Sequence, residues 1–266
     1  MEESTRTLEP RVTKRPDGTE IHYTSSGSGH ALTTVVLIHG WACLRSDFDE
    51  VTKLLPESVR ALAVDLAEHG DSRSTREDFS IAELARDVLA VCETEDVSGV
   101  VVVGHSLGGA VAVEVARQAP TLVSQVVALD ALHYTFLFGK LSQPDAEGLL
   151  TPLRDDFAGL VRSMVEAGSP EGTDEALKDA HFAKMVSVRQ PAGTRAFEGL
   201  VDWDMESALV EVDQPVTVYA VEALLTEENA AYLRERGVEV VGVDLGSHHF
   251  GVENPAGTAS LLAALA

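Results

Sequence analysis

The chain has 266 residues, enough to bury a sizeable core in one large domain or in a domain with an insertion. Asp and Glu outnumber Lys and Arg by 43 to 20, giving a formal charge of −23, a surface that repels nucleic acid and anionic membranes. No apolar run reaches the roughly 20 residues of a membrane span and the acidic start MEESTRTLEP does not read as a secretory signal, which together point to a cytoplasmic protein. The acidity fits either an ordinary acidic enzyme or adaptation to high salt, where screening removes self-repulsion. With only Cys43 and Cys92, the cysteines offer neither a disulfide framework nor a metal cluster, so no metal is expected and both thiols are expected to be reduced.

After a polar arm, residues 19–25 (TEIHYTS) alternate as an edge strand does, and a Gly-Ser-Gly turn follows. Residues 33–38 (TTVVLI) form a continuous apolar run, the mark of a strand covered on both faces, and end at His39-Gly40-Trp41. Another such strand, residues 59–66, leads into DLAEHGDS at 65–72, where Asp65 and His69 read as groups that fix a loop. Ser80 and Glu83 then form a capping box before an apolar stripe at Ile81, Leu84, Val88 and Val91, which predicts a helix.

The chain centres on residues 99–118, GVVVVGHSLGGAVAVEVARQ. Four consecutive valines make a buried strand, and the helix begins at once after Gly104-His105-Ser106-Leu107-Gly108. A serine caught between strand and helix, with glycine two positions either side, is the nucleophile elbow: the turn aims the hydroxyl outward, and the helix N-terminus favours developing negative charge. A further strand at residues 123–129 ends at Asp130. From 131 to 213 the strand–helix rhythm breaks. Helical stretches are predicted near 157–165, 176–188 and 194–200, consistent with a helical lid inserted into a core formed by 1–130 and 214–266. His133, Tyr134, Phe136 and Phe138 crowd the first residues of that insertion and, with Trp41, are candidates to line an apolar substrate pocket. Alternation resumes with a strand at 215–221, a helix at 227–236, a strand at 238–245, the turn Gly246-Ser247-His248-His249-Phe250 and a last helix at 256–266. Strands alternating with helices in this way make a mostly parallel sheet of α/β class.

Ser106 needs a general base and a carboxylate to orient that base. His248 or His249 supplies the base: a glycine-based register gives His249, whereas counting back from Asn254-Pro255 gives His248 without a gap, and that register is preferred. Two carboxylates compete for the third role, Asp130 at a strand end next to the elbow strand and Glu222 in the loop after the insertion, with Asp130 better placed. Backbone N–H groups of Trp41 and Leu107 are the candidate oxyanion donors. The other histidines, His22, His30, His133 and His181, read as surface or lid residues.

The motifs HGW at 39–41, DLAEHGDS at 65–72, GHSLGG at 104–109 and GSHHF at 246–250 resemble those of the α/β-hydrolase superfamily from about residue 19 to the end. The resemblance implies a lid-containing serine hydrolase cleaving a carboxylic ester, lactone or thioester with an apolar group, without cofactor. The acid at Asp130 is also similar to that of cofactor-free dioxygenases that cleave N-heteroaromatic rings, and C–C bond hydrolases and acyltransferases use the same triad. A binding protein on this fold would be expected to have a broken triad, and here every role has a candidate.

Overall fold

A computed structural model describes residues 6–139 and 141–265. Its centre is an eight-stranded sheet in the order β1-β2-β4-β3-β5-β6-β7-β8: β1 (Glu9–Lys14), β2 (Glu20–Ser26), β3 (Thr33–Ile38), β4 (Val59–Val64), β5 (Val100–His105), β6 (Val123–Leu129), β7 (Val216–Val221) and β8 (Glu239–Val243). β1 pairs antiparallel with β2, and β2 with β4; the remaining neighbours are parallel. Helices α1 (Asp49–Leu54), α2 (Ile81–Thr94) and α3 (Leu107–Gln118) lie between strands of the first half. Six more separate β6 from β7: α4 (Thr135–Phe138), α5 (Gln143–Asp155), α6 (Phe157–Ala167), α7 (Glu175–Val186), α8 (Ala192–Val201) and α9 (Met205–Val210). Then α10 (Glu227–Arg234) precedes β8, and α11 (Phe250–Glu253) and α12 (Pro255–Ala263) close the chain.

The unbroken apolar runs are explained by two cores. Val36, Ile38, Val100 and Val102 point into one, and Val35, Leu37, Val101 and Val103 into the other, so successive residues of β3 and β5 are buried on opposite faces. Each such valine contributes about 1.5–3 kcal/mol of transfer free energy. Among the described residues no helix is long and apolar enough to cross a membrane.

Two expectations change. The polar arm contains β1, whose one buried residue, Thr13, gives no apolar alternation to read; backbone pairing with β2 builds it, which moves β2 from the edge to the interior of the sheet. The segment after β6 also holds three helices without a clear apolar stripe in sequence, α4, α5 and α9. The last helix ends earlier than its sequence pattern, and Ala266 lies outside the described residues.

The order reverses at β3 and β5: the chain passes from β3 out to β4 and then back across to β5. At such a switch point, loops leaving the carboxyl ends of neighbouring strands diverge and leave a crevice. The turns after β3, β5, β6 and β8 all open there.

Candidate active site

Ser106 sits at φ 52°, ψ −123°, a conformation that side-chain-bearing residues rarely adopt. Close packing holds it there. A Cβ at Gly104 would overlap the Gly108 carbonyl, and one at Gly108 would overlap the Ile38 carbonyl, so neither position tolerates a side chain. Leu107 is the first residue of α3, so its N–H has no partner within the helix. Across the crest, Gly40 faces the same spot: a Cβ built on it would stand 3.0 Å from Ser106 Cβ and 2.8 Å from His105 Nδ1. The next residue, Trp41, is buried; its indole N–H donates to the Gly193 carbonyl at 2.7 Å and its rings pack on Phe157 and Phe197. The turn after β3 is thereby tied to the helices above it.

The carboxylate comes from the end of β6. Asp130 has φ 46° and is fully buried. Its Oδ2 accepts from His248 Nδ1 at 2.6 Å and from the Tyr134 hydroxyl at 2.5 Å, while Oδ1 accepts from the Val221 N–H at 2.7 Å. Burial opposes ionisation, but the hydrogen bond and charge of His248, with His133 and Tyr134 behind it, outweigh that penalty and hold the carboxyl at about 2. Burial, reinforced by the same carboxylate, pushes the Tyr134 phenol well above its ordinary range, so it stays a donor.

Because a carboxylate only accepts, His248 carries its proton on Nδ1 and presents Nε2 as the basic nitrogen. The backbone fixes the residue from both sides: His248 N–H donates to the Gly168 carbonyl at 2.8 Å, and its own carbonyl accepts from His105 Nε2 at 2.7 Å. Ser106, His248 and Trp41 line one cavity of about 310 Å³, whose walls include Tyr134, Leu160 and Met164.

His249 is placed differently. It is buried, stacks on His181 at 4.1 Å and 21°, and makes no hydrogen bond to Asp130 among the described residues. Burial drives its imidazole well below the ordinary value, as burial drives that of His105 to about 3, so both are neutral. Glu222 lies on an exposed 3-10 turn, Glu222–Leu224, beyond β7, and has no bond to either histidine among the described residues.

Two further assignments from sequence need correcting. Phe138 is buried in the core and does not line the cavity, because α4 is a single turn that aims it inward. His133 is also fully buried; its Nε2 faces Asp130 Oδ1 at 3.5 Å instead of the cavity. His181, read as a surface or lid residue, lies in α7 of the inserted segment and is nearly covered, with its Nε2 meeting Glu253 at 3.0 Å. Phe136, in contrast, is largely exposed and borders the cavity, as Tyr134 does. Asp65 and His69 do lie in a loop-fixing cluster: Asp65 is ion-paired with Arg45, and His69 packs on His39 at 5.0 Å.

Sequence reasoning passed over His105 as a contact. It occupies a variable position of the elbow motif, so only its hydrogen bond to His248 gives it meaning. Nor did spacing suggest that Cys43, in the turn after Trp41, meets His105 and His249, yet their ligand atoms lie within 4.8 Å of one another.

Residues 35–261 match the family described as "Alpha/beta hydrolase family". The chain belongs to the alpha/beta hydrolase family. An uncharacterized protein of Mycobacterium tuberculosis is 36% identical over 106 residues, covering 40% of this chain and 30% of the relative. The dihydrolipoyllysine-residue acetyltransferase component of an acetoin cleaving system from Pseudomonas putida is 27% identical over 199 residues, 68% of this chain and 54% of that one. The chain thus spans a third to a half of the length of these curated relatives. Among solved structures, Est816, described as an N-acyl homoserine lactone degrading enzyme, superposes with a TM-score of 0.81 at 22% identity, covering 96% of this chain and all of that one (100%). The enol-lactonase of Burkholderia xenovorans LB400 gives 0.78 at 18% identity, with 95% of this chain and 98% of the other covered. At these identities the likeness carries the fold alone.

Proposed function

We propose that this alpha/beta hydrolase family member cleaves a carboxylic ester, lactone or thioester bearing a moderate-sized apolar group, through an acyl intermediate on Ser106. One observation carries the reading: a histidine whose Nδ1 is held by a buried, ionised aspartate lines the same cavity as a serine at a strained strand-to-helix turn. In this scheme His248 Nε2 takes the Ser106 proton as the oxygen attacks the acyl carbon. The Trp41 and Leu107 N–H groups hold the oxyanion, and the imidazolium, stabilised by Asp130, protonates the leaving group. A water activated by His248 then releases the acid. Tyr134 keeps the Asp130 carboxylate oriented.

The helices of 131–213 act as a lid over the core of 1–130 and 214–266, supplying Leu160, Met164 and Phe197 as the apolar wall against which the acyl group lies. The esterase and lactonase titles among the structural neighbours support this choice of substrate class.

A fluorophosphonate probe with a panel of p-nitrophenyl esters and lactones tests the proposal. The expected result is single-site labelling at Ser106, abolished in Ser106→Ala and in His248→Gln, and ester turnover that rises with acyl length until the cavity is filled. Oxygen uptake with a hydroxyquinolone, without labelling of Ser106, would instead select the dioxygenase reading.

A further inference from the structure

The hydrolytic scheme leaves a group of buried residues unused. Cys43, His105 and His249 come from the turn after β3, the end of β5 and the turn before α11, and their sulfur and nitrogen atoms all lie within 4.8 Å of one another. All three border the cavity that holds Ser106, so an ion can reach them without the core opening.

The surroundings fix the ligands as a metal site does. His105 donates its Nε2–H to the His248 carbonyl at 2.7 Å, leaving the Nδ1 lone pair free of that contact; ligating histidines are oriented by this kind of bond to a backbone carbonyl. The ring of His249 is set by its stack on His181 at 4.1 Å, and His181 is in turn anchored on Glu253, which also binds Ser247 through both its N–H and its hydroxyl. His249 has no side-chain hydrogen bond of its own among the described residues. Cys43 donates its backbone N–H to Gly40, which pins the thiol's position, and the nearby Lys184 is neutralised by Asp47 at 2.8 Å.

We propose that Cys43, His105 and His249 bind a thiophilic divalent cation of the Zn²⁺ type at the floor of the active-site cavity. One sulfur and two imidazole nitrogens are the donor set that such an ion takes in tetrahedral coordination, with the fourth position open to the cavity for water. Binding is balanced by a proton and by water: the Cys43 S–H bond breaks and its proton goes to solvent, one sulfur–metal and two nitrogen–metal bonds form, and the hexaaqua ion sheds five of its six waters, keeping one. Lying beside His105 and Gly40, the ion would occupy space next to Ser106 and so suppress ester turnover in step with its occupancy.

Co²⁺ reports on such a site by its sulfur-to-cobalt charge-transfer absorption. The reduced, chelator-treated full chain is expected to take up one equivalent of Co²⁺ with that absorption, and Zn²⁺ is expected to displace it. Cys43→Ser should lose the absorption and bind at least about 100-fold more weakly, and His249→Gln should weaken binding similarly, since removing a ligand exceeds the 10–100-fold cost of losing an outer partner. Cys92→Ser, altered in the buried face of α2, should bind as the parent does. Ser106→Ala should keep the ion site whether or not it abolishes hydrolysis, so the two proposals are read separately. Failure of the parent chain to bind Co²⁺, absorption that persists in Cys43→Ser, or absorption that vanishes in Cys92→Ser would each overturn the site. The first and last of these outcomes do not depend on the folding of Cys43→Ser.

Discussion

Two buried aspartates, each just beyond a strand of the same sheet, show how environment divides structure from chemistry. Asp65, after β4, and Asp130, after β6, are both almost completely inaccessible. Asp65 is saturated by permanent donors: the Arg45 guanidinium, the Arg45 N–H at 2.7 Å and the Asp71 N–H at 3.0 Å. Arg45 never loses its proton, so that arrangement can do nothing but hold the loop. Asp130 has no arginine partner among the described residues; its strong partners are an imidazole, a phenol and one backbone N–H. An imidazole is the one partner whose charge can change during a reaction, so in the proposed scheme the carboxylate would stabilise a cation that comes and goes. The nearly identical sequence setting, a strand followed by Asp and a short loop, conceals this difference.

Substitutions that neutralise each carboxylate should separate the two. Asp130→Asn is expected to lower kcat by about 10⁴-fold, the size of effect seen when a triad aspartate can no longer fix the histidine tautomer, with the unfolding transition little changed. Asp65→Asn is expected to do the opposite: it leaves the half-buried Arg45 with the exposed Asp71 as its remaining charge partner and costs about 2 kcal/mol in a urea unfolding titration, while the folded fraction keeps its kcat.

Acid should sharpen the same contrast. The Asp130 carboxyl is held at about 2, against an ordinary value of 3.8, so its ionisation contributes stability that is fully present above 3.8 and is lost as the pH falls through 2. Unfolding free energy measured through that interval should decline by about 2 kcal/mol more in the parent chain than in Asp130→Asn.

A smaller effect is expected at Tyr134. Tyr134→Phe removes one of the two donors on Asp130 Oδ2 and should slow turnover about tenfold, about 1.4 kcal/mol, without affecting the apolar wall of the cavity. Glu222→Gln should leave kcat and KM unchanged, because that side chain stands on the exposed turn; a large loss of turnover there would reverse the choice of acid.

The parallel sheet could be read directly from the chain. Runs such as residues 100–103 are apolar at every position, and only a strand covered on both faces places successive side chains in two cores. β1 could not be read so, because Glu9–Lys14 is held by its ladder to β2 and hides only one side chain. Helices α4, α5 and α9 fall in the same class: they pack on neighbouring helices, and α5 and α9 start at the side-chain caps Ser142 and Asp204 more than at a repeating stripe.

Sequence by itself determined the elbow: the glycines around Ser106 leave room for one turn geometry, and that geometry follows from the contacts a Cβ would make with Gly108 and Ile38. It also narrowed the acid and the base to two residues each. Only the tertiary structure decided which neighbours each would meet, because a histidine doublet such as 248–249 sends adjacent rings to different sides of one turn. His248 meets Asp130 across 118 residues, while His249 turns to His181, His105 and Cys43. Those partners come from separate strands and helices, and no local pattern encodes which of them the packed sheet brings together.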